Sequence, residues 1–434
     1  MRSIHNFFYF FFTFTWKNLV NRPLSLVLNL LLFTLGVGLI SMLFLINTQV
    51  TEKMENNFAG IDLVIGAKGS PLQMVLCNMY HIDPPTGNIS TENARPFLNP
   101  DNPLIGNAVP LSIGDNYKGF RIVGSEHNIV DLYKASLAEG RLWEKGTEVV
   151  IGQRVAEDTG LKLGDRFKSS HGLSVDINMV HDDAADFVVV GVLNKAQSVI
   201  DQLILCSTRA VWAVHDHEHG AEEDGHEGHN HDAHDHEGHQ HEAEVPFWEE
   251  DGQELTAILV QFRNKKNFRA LNLGRNINEN TDLMAANPAY EVLKLQGNIG
   301  IGVDMMRIIA MIIVFVSALS VFFSLVNALK EKKYELALMR SMGASRGMIF
   351  SLIMLEGAFI AVIGYLLGLL LSHGGMMIFA DMLEAEYRYG FEAWRFLAEE
   401  AWMLLVVLLI GLAAAIIPAI MASVSDISTT LSEE

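Results

Sequence analysis

Four stretches of this chain leave it few ways to fold. Residues 24–46, 308–329 and 401–422 contain no charged side chain, and residues 348–371 contain one, Glu356. A helix needs about 20 predominantly apolar residues to cross the hydrocarbon core of a bilayer, where every backbone N–H and C=O must be satisfied internally. The stretches predict four transmembrane helices, at 24–47, 303–329, 348–372 and 401–423. The first is too long for a secretory h-region, and no alanine precedes Ala59 to make a cleavage site, so it reads as a retained helix.

Orientation follows from Lys and Arg near the ends of the spans. Arg2, Lys17 and Arg22 precede span one without an acid, and Lys330, Lys332, Lys333, Arg340 and Arg346 outnumber Glu331 and Glu335 between spans two and three. Both flanks are expected in the cytoplasm. The connection 373–400 carries Asp381, Glu384, Glu386, Glu392, Glu399 and Glu400 and is expected outside; a fourth crossing returns the tail, 424–434, to the cytoplasm. Residues 1–23 then form a cytoplasmic amphipathic helix that leads into span one, and 48–302 form an extracytoplasmic domain. The net charge of −20 in a chain that is 50% apolar fits this alternation of apolar blocks with acidic, wetted ones.

The external segment is long enough to hold its own core. FRIVG at 120–124, EVVIG at 148–152, FVVVGVL at 187–193 and TAILVQF at 256–262 read as strands separated by turns, and RVAEDTGLKLGDRF reads as a short helix, a glycine turn and a strand. Residues 268–297 have a more helical pattern. The expected fold class is an α-helical membrane protein with four transmembrane helices and a large α+β extracytoplasmic domain between helices one and two.

Inside that domain, residues 215–244 are an insertion composed almost entirely of His, Asp, Glu, Gly and Ala that cannot bury enough apolar surface to fold by itself, so it is expected to be disordered without metal. Its ten histidines, His215, His217, His219, His226, His229, His231, His234, His236, His239 and His241, recur at H-x-H and H-x-x-H spacings, and eleven carboxylates surround them. Neutral imidazole suits Zn, Cu or Ni, and redundant ligands at irregular spacing suit a multi-ion collector better than a closed structural site. Zinc or another transition metal is the expected ligand; no intrinsic cofactor is expected. Cys77 and His81 stand one helical turn apart if QMVLCNMYH is helical, which makes either a pair of ligands or a packed helix face. His171 and His181 flank GLSVDINMV and can close a site with the tract; His127 and Cys206 are further external candidates, and the two cysteines can pair on the oxidising side.

The stretch LKEKKYELALMRSMGASRGMIFSLIMLEGAFIAVIGYLLGLLLS, 329–372, carries the most specific signal. Residues 335–342 have helical spacing, Gly343 can end that helix in a left-handed conformation, and Ser345 can cap the next one. A short amphipathic helix at the membrane surface follows, at 330–347. In the spans, Gly357, Gly364 and Gly368 share a face and suit close helix packing, within the chain or across a dimer. Glu356 is an intramembrane acid, either a functional group, as such acids are by default, or a structural one that snorkels near the cytoplasmic end or pairs with Arg346.

With these residues in view, the sequence resembles the MacB/FtsX-like permeases of ATP-binding cassette systems. ELALMRSMGASRGMI resembles the family's coupling segment, TWKNLVNRPLSLVLNLLL the amphipathic approach to its first span, and DLVIGAKGSPLQMVLCNMYHIDPPTGNI and VAEDTGLKLGDRF its external segments. The histidine insertion departs from the general pattern. The resemblance implies a bacterial inner-membrane permease with its large domain in the periplasm, a paired or homodimeric permease, and a separate ABC ATPase subunit. It also implies mechanotransmission: the ATPase stroke enters at 330–347, with Glu335, Leu338, Arg340, Met342, Gly343 and Arg346 in the coupling surface. The chain lacks a G-x-x-x-x-G-K-[ST] phosphate loop, so it is not expected to be an enzyme.

Three classes of function follow from these readings. A permease linked to zinc handling fits best, with a periplasmic metal-binding or adaptor protein as a further partner. A permease for lipoprotein, peptide or drug export, or a regulator of an external enzyme, makes the tract an accessory. A proton-coupled metal carrier needs several facing acids or histidines in its spans, where Glu356 stands alone in this reading. No nucleic-acid partner is expected.

Overall fold

The computed structural model describes residues 17, 21, 23–169, 186–213, 246–387 and 390–424. The chain divides into two compact units, Met1–Val50 with Asn298–Glu434 and Thr51–Gly297. Both divisions fall inside helices, α1 (Pro23–Phe58) and a later helix, Pro288–Glu331.

The second unit is built on strands and short helices. In chain order these are β1 (Leu63–Ala67), α2 (Pro71–Tyr80), β2 (Ile89–Ser90), α3 (Thr91–Leu98), β3 (Ile105–Tyr117), β4 (Phe120–Gly124), β5 (Leu137–Gly140), β6 (Glu148–Ile151), α4 (Gln153–Thr159), β7 (Arg166–Lys168), β8 (Asp186–Leu193), β9 (Ile204–Cys206), β10 (Glu254–Leu255), β11 (Ala257–Phe262), α5 (Leu273–Asn280) and β12 (Leu283–Ala286). The main sheet has the order β12-β1-β11-β3-β4-β9-β6-β8-β5, with β7 added to β8, and it is antiparallel except for β4 with β9 and β6 with β8.

Its central strands carry the core. β4 is buried throughout, because a central strand of FRIVG is covered on both faces, whereas β8 alternates strictly and presents Phe187, Val189 and Leu193 inward. Apolar clusters fill the unit, one around Val64, Met74, Leu111 and Val150, another around Ile65, Phe97 and Ile258, and a third around Phe120, Val149 and Phe187. The four runs read as strands are strands. The helix, turn and strand expected at 154–167 are also present, with Gly160 at φ 76° ending α4.

The first unit is helical. α1 is joined there by α6 (Pro288–Glu331), α7 (Lys333–Ser341), α8 (Arg346–Tyr387) and α9 (Ala398–Val424), and α1, α6, α8 and α9 are long and apolar enough to cross a membrane. They run past the apolar blocks, since nothing in TEKMENNF or in 373–387 breaks a helix. The chain leaves α1 only at Ala59 and Gly60, both at positive φ. The connection expected at 373–400 is accordingly short, from the end of α8 to Ala398.

Small residues let these helices touch. A Cβ on Gly364 would stand 2.6 Å from the Phe33 Cβ and one on Gly368 would stand 2.7 Å from Val37 Cγ1, so α8 meets α1 backbone to side chain; Gly357 and Gly411 stand against each other's helices, with Ala415 and Ala361 beside them. Each of the three glycines singled out from the sequence packs within the chain. Ser25 Oγ lies 2.6 Å from Ser324 Oγ, and Ser320 donates to Asn29 Oδ1 at 2.7 Å, which ties α1 to α6.

In the strand-rich unit, Arg141 holds Glu148 at the start of β6 through both carboxylate oxygens, at 2.8 and 2.5 Å, and this hydrogen bonding lowers the Glu148 pKa to about 2. A pKa depressed on folding contributes stability above the ordinary carboxylate pKa, and that contribution is lost as pH falls toward 2. Glu148→Gln is expected to cost about 1 kcal/mol near pH 7, discounted because the arginine is partly exposed. It should also flatten the loss of stability between about pH 4.5 and pH 2, measured by thermal unfolding of the full chain. An unchanged acid profile would count against the pair.

Candidate functional site

The candidate site is the segment between α6 and α8. Helix α6 breaks at Lys332, whose φ of −105° and ψ of 13° turn the chain into the nine-residue α7. α7 then ends in a Schellman motif. Ala344 N–H bonds Met339 O and Gly343 N–H bonds Arg340 O, both at 3.0 Å, with Gly343 at φ 102°. Two residues on, Ser345 caps α8 by accepting from Met348 N–H at 3.2 Å. Glycine and serine hold the roles expected of them, because only glycine takes that φ without a Cβ penalty and a serine hydroxyl reaches the free amide of the next helix.

α7 has two faces. Leu336 and Ala337 are buried, and Leu336 belongs to the same apolar cluster as Phe33, Leu325, Ile353 and Val407 of the long helices. Tyr334, Leu338 and Met342, at i, i+4 and i+8, are 52%, 44% and 74% exposed, an apolar stripe with no cover among the described residues. Beside it a recess is lined by Leu325, Lys332, Glu335, Met339, Leu352 and Glu356. The structure therefore brings Glu356, buried at 6% exposure, to the base of α7 together with Glu335. Arg346 is exposed at the first turn of α8, and Arg340 is half-buried near the end of α7.

The candidate metal residues divide differently. His215 to His241, His171 and His181 lie outside the described residues. The insertion's two edges are held together: Trp212 and Phe247 have ring centroids 6.4 Å apart, Trp212 Nε1 donates to Glu254 O at 2.6 Å, and Arg209 pairs with Glu250. Cys77 and His81 both lie at the end of α2, where His81 is the left-handed cap at φ 53°. The group that meets the Cys77 sulfur is a guanidinium: Arg121 Nη1 donates to Sγ at 3.6 Å while Nη2 donates to Asp83 O at 2.6 Å. Burial, with help from Arg121, lowers His81 to about 3, so it stays neutral. Among the described residues no three His, Cys, Asp or Glu side chains converge on a point that would hold a metal. His127 Nε2 donates to Trp143 O at 2.7 Å, a structural hydrogen bond.

One group went unread in the sequence. His373 and Glu400 fell in the expected external connection, yet they lie inside α8 and α9, 1% and 2% exposed, with Ser41 of α1 beside them. The signal that could have found His373 is that MMIFADMLEAEY, free of proline, continues the helix past Gly374 and Gly375, so the charge-free count stopped the span too early.

Two family models match parts of the chain. Residues 26–231 match the model of the MacB-like periplasmic core domain, and residues 307–427 match that of the FtsX-like permease C-terminal domain. The class these matches support is the MacB/FtsX-like ABC permease, and with it a permease function. The ABC transporter permease YtrF of Bacillus subtilis (strain 168) is 31% identical over 94 residues, 22% of this chain and 20% of that relative. The chain thus spans about a fifth of the length of the curated relative it matches.

Both cysteines are free and fully buried, and burial raises the pKa of each, opposed at Cys77 by Arg121. Thiols kept protonated and out of solvent react slowly. Cys77 and Cys206 are expected to resist iodoacetamide in the folded full chain and to react once it is denatured; rapid native labelling, or a disulfide between them by mass spectrometry, would contradict this.

Proposed function

We propose that this chain is the permease subunit of an ABC transporter in the bacterial inner membrane, relaying the stroke of a separate ATPase to its periplasmic domain, and that zinc capture by the histidine tract belongs to its task. The observation that carries the reading is the construction of residues 330–347. A nine-residue helix is fixed at both ends, anchored below by Leu336, and presents Tyr334, Leu338 and Met342 as an uncovered apolar stripe. The family matches support an ABC ATPase as partner; in this reading one ATPase per permease of a pair receives that stripe in its groove, with Glu335, Arg340 and Arg346 as polar contacts at its margins. α1 and α6 are the two helices in which the chain passes from one unit to the other, and in this reading they transmit the motion.

The purified chain alone is expected to show no ATP turnover, and chain extracted from native membranes is expected to carry an ATPase with it. Replacing Met342 by Asp and Gly343 by Pro removes an apolar anchor and forbids the left-handed turn, so ATPase copurification should fall at least tenfold while the spectrum of the strand-rich unit is kept. Robust turnover by the isolated chain, or undiminished copurification of the double variant, contradicts the assignment.

Residues 215–244 are expected to bind several zinc ions, with affinity falling as pH drops through about 6.5, where free imidazole takes up a proton. Because Trp212 and Phe247 close the edges of the insertion, deleting 215–244 should leave assembly intact. Growth under zinc limitation and zinc excess then separates the readings. Failure of the deletion and of the coupling variant in the same condition supports zinc handling, by the permease with a periplasmic metal-binding partner. A deletion that grows as wild type while the coupling variant fails makes the tract an accessory to lipoprotein, peptide or drug export, or to regulation of an external enzyme.

A further inference from the structure

Three helices of the membrane unit meet at buried polar side chains that have no part in the coupling segment. Ser41 of α1, Ser372 and His373 of α8 and Glu400 of α9 are each 2% exposed or less. Ser41 Oγ lies 2.9 Å from Ser372 Oγ and donates to Glu400 Oε1 at 2.7 Å. Glu400 Oε2 accepts from Leu397 N–H at 3.1 Å, as an N3 glutamate does at the start of a helix. The His373 ring stacks on Trp394 at an interplanar angle of 7° and packs against Phe396.

Donors and acceptors do not balance here without one more hydrogen. His373 Nδ1 is 2.7 Å from Ala393 O, which can only accept, so Nδ1 carries a hydrogen. A neutral imidazole then leaves Nε2 as a bare lone pair. That atom is buried with no hydrogen-bond partner, and it faces Glu400 Oε1 at 3.4 Å, too near for a water between them. A lone pair beside a carboxylate in a dry interior is repelled, and although Glu400 already accepts from Ser41 and from Leu397 N–H, Nε2 has no other partner among the described residues. One hydrogen between Nε2 and Oε1 removes the conflict and leaves the pair with no net charge.

We propose that His373 and Glu400 together bind one proton, and that this proton fastens α8 to α9, with α1 held through Ser41. The surrounding groups fit a site for a proton and no larger ligand. From α8, the Tyr365 hydroxyl donates to the Glu400 main-chain oxygen at 2.9 Å. α1 adds Gln49, bonded through both side-chain atoms to the main chain of Glu392, and the connection adds the rings of Trp394 and Phe396. The proposal stands independently of cargo and of the ATPase.

The test uses the full chain in lipid nanodiscs with 15N-histidine and 13C-glutamate, the two residues being assigned by their loss in His373→Gln and Glu400→Gln. In wild type, either both His373 nitrogens carry hydrogen beside an ionised Glu400, or Glu400 is protonated beside an Nδ1–H imidazole. In Glu400→Gln the amide N–H supplies the missing hydrogen, so His373 should be the neutral Nδ1–H form and the thermal midpoint should stay near wild type. Glu400→Leu leaves Nε2 bare and should lower the midpoint clearly. A wild-type spectrum with neutral His373 and ionised Glu400 together overturns the proposal, as does Glu400→Leu melting with Glu400→Gln. If Glu400→Leu fails to assemble, the nitrogen and carboxyl signals of wild type and Glu400→Gln decide alone.

Discussion

A helix inside a bilayer has no water to satisfy what its side chains leave open, and the helical unit of this chain is organised by that constraint. Its answer is close approach. Glycine on α8 lets Phe33 and Val37 of α1 sit against the backbone, and the Gly357–Gly411 crossing does the same between α8 and α9. Serines and Asn29 then pair across α1 and α6 at distances of 2.6 and 2.7 Å, where an unpaired hydroxyl would be costly. With α1, α6, α8 and α9 fixed in this way, Leu336 packs into the same cluster and gives α7 a firm base.

The strand-rich unit rests on different physics. Its stability comes from a sheet whose central strands are buried on both faces and from three apolar clusters, with polar caps such as Ser70 and Ser90 starting its helices. A fold closed by such a core tolerates a long polar insertion wherever the two ends already meet, and Trp212 and Phe247 provide that meeting. The cluster of Cys77, His81 and Arg121 is part of this packing: a buried guanidinium beside a buried thiol is held by the Asp83 carbonyl, an arrangement that opposes a divalent cation.

Much of this was legible in the residues because local chemistry decided it. Gly343 and Ser345 announce a helix end and a helix start whatever surrounds them, and β4, β6, β8 and β11 are β-branched runs bounded by turn residues. The thirteen-residue β3 was not legible, since Gly106, Pro110 and Gly114 interrupt its pattern; pairing with β11 and β4 overrides the local preference, and Ser125 donates to the Pro110 carbonyl. β12, Leu283–Ala286, is strand only because β1 offers an edge, in a region whose local pattern is helical. At the site, the short helix α7 could be read from spacing, whereas the placing of Glu356 with Glu335 in one recess, and of His373 with Glu400 and Ser41, depends on how separate helices pack.

The central claim is that Tyr334, Leu338 and Met342 form the surface through which another subunit drives this one. A photo-crosslinking residue at position 342, introduced in the full chain in native membranes, tests it most directly, because Met342 is 74% exposed and reports whatever lies against the stripe. The account predicts one dominant adduct with an ATP-binding cassette subunit, abolished when Gly343 is replaced by Pro. An adduct with lipid alone, or with a partner that binds no nucleotide, would contradict it.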